Sequence, residues 1–211
     1  MKDQKTEEYW ISVKQLMTPE TVVIDQPPFF TSVSPNPIKM YVAEFFRNGK
    51  LQRRKIKTHP AYPYGFLREE MQDYILDKLE TMIEQRLIRG TFENGTEYTI
   101  ISVALNLPKQ VTRLIQNFDF TKKNPKRIYL ITGETQLSLR DTIEAALLHL
   151  IGFDILFFIP TGYRCVERYW NDFQITEYQS GPYQYDLRIP DFTTFQQTAT
   201  KGWFRKFLGG F

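Results

Sequence analysis

The chain has one cysteine and two histidines among 211 residues. A single thiol excludes an intrachain disulfide framework and suits a reducing compartment. So few soft ligands argue against zinc, and no metal site is expected. Long apolar runs are lacking too: none approaches the roughly 20 residues of a bilayer span, and the opening MKDQKTEEYW has no apolar signal-peptide core. The expectation is a cytoplasmic protein whose membrane contact is at most peripheral. Charge of one sign is scarce, since 27 Lys and Arg against 24 Asp and Glu leave +3. That excess is too small and too evenly spread to argue for nucleic acid. No phosphate loop, dinucleotide fingerprint or nucleophile elbow occurs.

What is present in quantity is aromatic: 17 Phe and 12 Tyr, within an otherwise ordinary 42% hydrophobic and 24% charged composition. The length suits one core with a smaller appendage. The expected organisation is an extended N-terminal segment with a hairpin over 1–65, an α/β domain over 66–200, and an amphipathic aromatic tail over 201–211.

Residues 1–20 carry a few apolar anchors and fit a short helix stopped near Pro19, or a frayed entry. Four prolines between Pro27 and Pro37 forbid regular structure there, leaving an extended strap anchored by Phe29 and Phe30. Residues 40–46 predict a strand, Asn48-Gly49 a turn, and 51–57 the returning strand of a hairpin. Arg53, Arg54, Lys55 and Lys57 on that return read as a charge-protected edge, or as a patch for an acidic partner.

Residues 67–88 carry apolar positions at steps of three and four and predict a helix closed by Gly90. Its acids and bases lie on the solvent face. Residues 96–118 predict two helices broken at 106–108, with Pro108 opening the second.

The centre of the chain is 126–163. Two short apolar runs, RIYLIT and FDILFFIP, flank a helical pattern in which Ser138 and Asp141 form a capping box and Gly152 ends the helix. This is a strand–helix–strand crossover, and the expected fold is α/β with a Rossmann-like parallel sheet and flanking helices, plus the peripheral N-terminal hairpin. Such units take ligands at the carboxyl ends of their strands. The second strand, nearly all apolar, is expected to be covered on both faces.

Both strands then end in small polar turns on one rim: Thr132 and Glu134 after the first, Thr161, Gly162 and Tyr163 after the second, with Glu167 one turn into a following helix. Unpaired N–H groups at that helix start, with the Thr161 hydroxyl, would attract an anion. The competing account makes these well-formed turns with Thr161 as a cap. Lys122, Lys123, Lys126 and Arg127 precede the first strand, at the far end from the rim, and fit a solvated loop. Cys165 has no histidine placed as its base, which argues against a catalytic thiol. Asp141 and Asp154 serve as cap and strand entry. After residue 174, Tyr183, Tyr185 and Leu187 alternate as one face of a strand. In the tail, Trp203, Phe204, Phe207 and Leu208 share one helical face for docking on the body or a partner.

FDFTKKNPKRIYLITGE, LLHLIGFDILFFIPTGYRCVE and SGPYQYDLRIPDF with the following GWF closely resemble the YceG-like family of bacterial tellurite-resistance operons. That family is described as a component of a "biosynthetic module", and it is unrelated to the lytic transglycosylase that shares the letters. The resemblance implies that this chain corresponds to the carboxyl-terminal portion of longer proteins. It also implies a cytoplasmic setting in Gram-positive bacteria, beside other tellurium-resistance operon proteins, in defence against toxic oxyanions, metals or envelope-active agents. It assigns no catalytic residue and no cofactor. Two functions stay open: a ligand-binding or enzymatic domain using the rim for a small anionic or nucleotide-like molecule, and a non-catalytic adaptor joining partner proteins of the resistance complex.

Overall fold

The computed structural model describes residues 4–25, 27–30, 32, 35–119, 121, 125–171, 175–179, 181–185 and 187–192. The tail over 201–211 lies outside them.

Three strands form a parallel sheet: β1 (Val22–Ile24), β4 (Arg127–Ile131) and β5 (Asp154–Phe158), in the order β1-β4-β5. β4 lies between the other two, and its residues 128–131 are buried, as the run RIYLIT requires. β5, like β1, is an edge strand: its residues 155–158 are only half-buried, so it is not covered as its composition suggested. The expected crossover is present. Arg127 pairs with Asp154 and Ile131 with Phe158, in parallel register, and α7 (Leu139–Ile151) links the two strands.

Helices cover both faces. On one, α7 packs against α4 (Glu69–Glu84) and α5 (Thr96–Ala104) around the main apolar cluster. On the other, α1 (Gln4–Gln15) buries Trp10 and Val13 against Tyr129 and Ile131, and the Tyr129 hydroxyl donates to the Val13 carbonyl at 3.1 Å. Phe29 and Phe30 are buried as the strap expectation required, and they share the main cluster with Ile75 and Ile143.

The hairpin differs from expectation. Only Phe46–Arg47 (β2) and Lys50–Leu51 (β3) pair, around Asn48-Gly49. Before them the chain makes a 3-10 turn, Lys39–Tyr41, and α2 (Val42–Phe45); after them comes α3 (Arg53–Lys57). Burial explains the first change, because Ile38, Val42, Phe45 and Phe46 are buried while Met40 and Glu44 are exposed, a helical rather than an alternating pattern. Charge explains the second. A helix puts Arg53 and Lys57 on one face, where Arg53 pairs with Glu80 and with Asp77 (2.6 Å) and Lys57 with Asp73 (2.6 Å). Part of the basic cluster is thus met by the acidic face of α4, which does not simply point at solvent.

α4 also stops earlier than its periodicity suggests. Arg86 already takes the left-handed conformation (φ 50°) at the helix end, Leu87 and Ile88 run on into the core, and Gly90, also left-handed (φ 85°), serves a later turn. α5 and α6 (Lys109–Gln116) flank a break at 105–108 as expected, with Pro108 as the cap of the second. Beyond β5 the expected helix is a single 3-10 turn, Glu167–Tyr169. Residues 181–185 and 187–192 form no strand; Leu187 packs toward the sheet with Ile189 and Phe192.

Candidate functional site

Parallel register brings the two expected turns together. The Thr132 N–H donates to the Phe158 carbonyl at 3.1 Å, extending the ladder by one rung, and the Thr161 hydroxyl donates to the Gly133 carbonyl across the rim. Thr132, Glu134, Thr161, Gly162 and Tyr163 therefore share one edge of the molecule.

Their side chains divide into an inner and an outer set. Thr132 and Thr161 are buried, and both hydroxyls are spent on the fold: Thr132 donates to the Thr135 carbonyl at 3.1 Å, and Thr161, besides its bond to Gly133, accepts from the Tyr163 N–H at 3.4 Å. Glu167 Oε2 accepts from the Val166 N–H at 3.1 Å. Gly162 has φ +68°, and a Cβ there would meet Tyr183 ring carbons at 2.0–2.6 Å. Its missing side chain makes room for a ring of the protein itself. Glu134 and Tyr163 face outward.

The helix-start account of the rim does not survive the fold, because no helix begins at 162–163. The helix start beside the rim is that of α7, and it is already served. The Asp141 N–H donates to Ser138 Oγ at 3.1 Å, and the Asp141 carboxylate takes the Ser138 hydroxyl and the Phe30 N–H (3.0 Å). The carboxylate expected to reach back within its own helix thus clips down the N-terminal strap as well.

The outer set gains residues that the sequence offered only as a strand face. Tyr183 lies on Gly162, the Gln184 N–H donates to the Pro160 carbonyl at 2.8 Å, and the Tyr163 and Tyr185 rings stand 5.9 Å apart at 55°. Tyr163, Tyr183 and Tyr185 are 48%, 48% and 59% exposed. Arg164 is exposed beside Tyr163, and Arg168 donates to Gln136 at 3.1 Å, bridging the turns after β5 and β4. The signal for this cluster was the YQY spacing after Gly181-Pro182, legible as aromatic but not as rim.

Other sequence candidates lie elsewhere. Lys126 is buried, with Nζ bonded to the Asp119 carbonyl and 4.0 Å over the Phe118 ring centre; Arg127 donates to the Leu16 carbonyl and pairs with Asp154 at 3.7 Å. These two brace the amino end of the sheet rather than a solvated loop, while Lys122 and Lys123 lie outside the described residues. Cys165 is buried beneath the rim; burial, then the Glu167 charge, push its thiol up. His59 accepts from the Ala61 N–H and His149 sits 3.3 Å from the Phe153 carbonyl. Among the described residues no group of three His, Cys, Asp or Glu could hold a metal, and no helix is long and apolar enough to cross a membrane.

Residues 2–201 match the model of the YceG domain. The chain is also 26% identical over 204 residues to the uncharacterized protein YceG of Bacillus subtilis (strain 168), a match covering 93% of this chain and 35% of that protein. The chain thus spans about a third of the length of the curated relative it matches. No solved structure matches. With 2–201 covered by one family model, the chain belongs to the YceG domain family.

Proposed function

We propose that this chain is the ligand-binding α/β body of a bacterial stress-resistance system acting against tellurium compounds and other toxic agents. Its sheet is the core of a Rossmann-like unit, and a small anionic or nucleotide-like ligand rests on the outer rim beside Thr161. The observation that carries the proposal is the gathering of Tyr163, Tyr183 and Tyr185 at the carboxyl ends of two parallel strands. Strand ends of this kind are where open α/β sheets take ligands. Exposed tyrosine faces suit the flat side of a base or sugar. Arg164 and Arg168 supply cations for a phosphate or carboxylate, and the exposed Glu134 accepts from sugar hydroxyls. In this arrangement the buried threonines hold the two turns in register, and Tyr163, Tyr185 and Glu134 meet the ligand. No residue is placed as nucleophile or general base, so enzymatic activity is not part of the proposal.

The test is a melting-temperature screen of the wild-type chain with nucleotides and sugar nucleotides, followed by calorimetry on each hit. A stabilising ligand whose affinity falls at least tenfold in Tyr163→Ala supports the proposal. A screen in which no nucleotide or sugar nucleotide shifts the melting temperature rejects it. A second function, the adaptor, has one observation in its favour: Tyr178, five residues before Tyr183 in the chain, is 88% exposed, the kind of ring that anchors protein interfaces. Co-purification of other tellurium-resistance operon proteins, lost on deleting 201–211 but kept in Tyr163→Ala, would favour it.

A further inference from the structure

The interior holds a carboxylate that the rim does not use. Glu144, in the second turn of α7, is 0% exposed, and neither carboxylate oxygen has a hydrogen-bond partner among the described residues. Buried polar atoms are nearly always satisfied, so a fully enclosed carboxyl group without a donor needs an explanation.

α7 packs against α4, α5 and β5; the charged groups acting on Glu144 are Arg140 and Asp141 of its own helix, and Tyr64, from the segment before α4, feels Glu144 in turn. Arg140 Nε stands 2.8 Å from Glu144 Oε1, yet its N–H is not directed at the oxygen. The guanidinium instead donates to the Asn106 carbonyl at 2.8 Å. Tyr64 turns its hydroxyl to the Ala104 carbonyl. Asp141 is buried too, but the Phe30 N–H and the Ser138 hydroxyl both donate to it.

Arg140 is the one cation against Glu144 among the described residues, and the hydrogen bonds set the two buried carboxyl groups apart. Both Asp141 oxygens accept directed hydrogen bonds, whereas Glu144 has only the poorly aligned Arg140 guanidinium beside it. A neutral Glu144 leaves the cluster balanced, whereas an ionised one adds an unsolvated negative charge beside another. We propose that Glu144 is a proton-binding site of the folded protein, its carboxyl group neutral at physiological pH and charged only in the alkaline range or on unfolding.

Burial, opposed by Arg140 and reinforced by Asp141, pushes this carboxyl from its usual 4.5 up to about 8. Between these limits the folded protein keeps a proton that the unfolded chain has released, so stability falls as pH rises. The contribution is complete below about pH 4.5, fades across the interval, and is gone above about pH 8.

Glu144→Gln keeps the shape and removes the titration. Denaturant unfolding of wild type and variant, from about pH 5 to about pH 9, should show the folding constant of the variant gaining on the wild type by up to tenfold per pH unit, then levelling. A ratio that stays constant across the range overturns the proposal. Should the variant fail to fold, infrared spectra of the wild type decide the matter. A protonated-carboxyl band at neutral pH, where surface carboxylates are ionised, that disappears on alkaline titration supports a proton at Glu144; its absence overturns it.

Discussion

The hydroxyl of Thr161 donates to the carbonyl of Gly133, residues that belong to different turns and meet at the ends of two parallel strands. Thr161 is 4% exposed, so the bond forms away from solvent. Thr161→Val, which keeps the shape but not the donor, should cost about 1 kcal/mol. That corresponds to a fall of about 2–4 °C in melting temperature for a chain of this size. Differential scanning calorimetry checks it, and an unchanged transition would show that the bond contributes nothing to the rim.

Gly162 and Tyr183 form a second pair across the rim, one giving the space that the other fills. Gly162→Ala should cost about 2–4 kcal/mol, from the left-handed backbone and from displacing the ring. Removing the ring relieves only the steric part. A double-mutant cycle with Tyr183→Ala should therefore show coupling of at least about 0.5 kcal/mol, and additive effects would mean that the ring does not rest on the glycine.

The basic segment divides between Arg53 and Lys57, which pair with acids of α4, and Lys55, which is exposed. Arg53 joins α3 to Glu80 and Asp77 of α4, and Glu80 also accepts from the Leu51 N–H at 3.1 Å. Its side chain is 33% exposed, so solvent screening holds the effect of Arg53→Ala to about 1 kcal/mol. Lys55→Ala, on the exposed side, should stay within about 0.5 kcal/mol. Urea titrations of the two variants give the comparison, and equal midpoints would contradict the helix-to-helix pairing.

Cys165 should behave as an inert thiol. It is 2% exposed, and burial with the nearby Glu167 disfavours the thiolate, which is the reactive form. The native protein should be alkylated by iodoacetamide at mildly alkaline pH at least about tenfold more slowly than the urea-unfolded chain. Mass spectrometry over time follows the reaction; equal rates would place the thiol at the surface.

Periodicity served well where contacts are local or where a segment is buried on every side. α4, α5, α6 and α7 follow from apolar spacing, and Gly152 ends α7 where a cap was expected. The failures lie where a distant residue decides. Residues 53–57 look like a charged edge strand until Asp73, Asp77 and Glu80 arrive from α4, and the helix is the conformation that turns Arg53 and Lys57 toward them together. Residues 183–187 alternate like a strand, but Tyr183 is drawn onto Gly162 and Leu187 toward the sheet. The rim shows the same division. Its membership was legible because both strands end in small polar turns, whereas the inward aim of the Thr132 and Thr161 hydroxyls was not.

The order of residues alone determined that 127–158 makes a crossover of two strands and a helix. Two five-residue apolar runs, separated by one amphipathic helix, can bury themselves together only as parallel neighbours. Tertiary structure alone decided which polar groups would be left for chemistry. A glutamate in a helical pattern reads as solvent-facing until neighbouring helices close over it, and Glu144 lost its water only when α4 and α5 packed against α7.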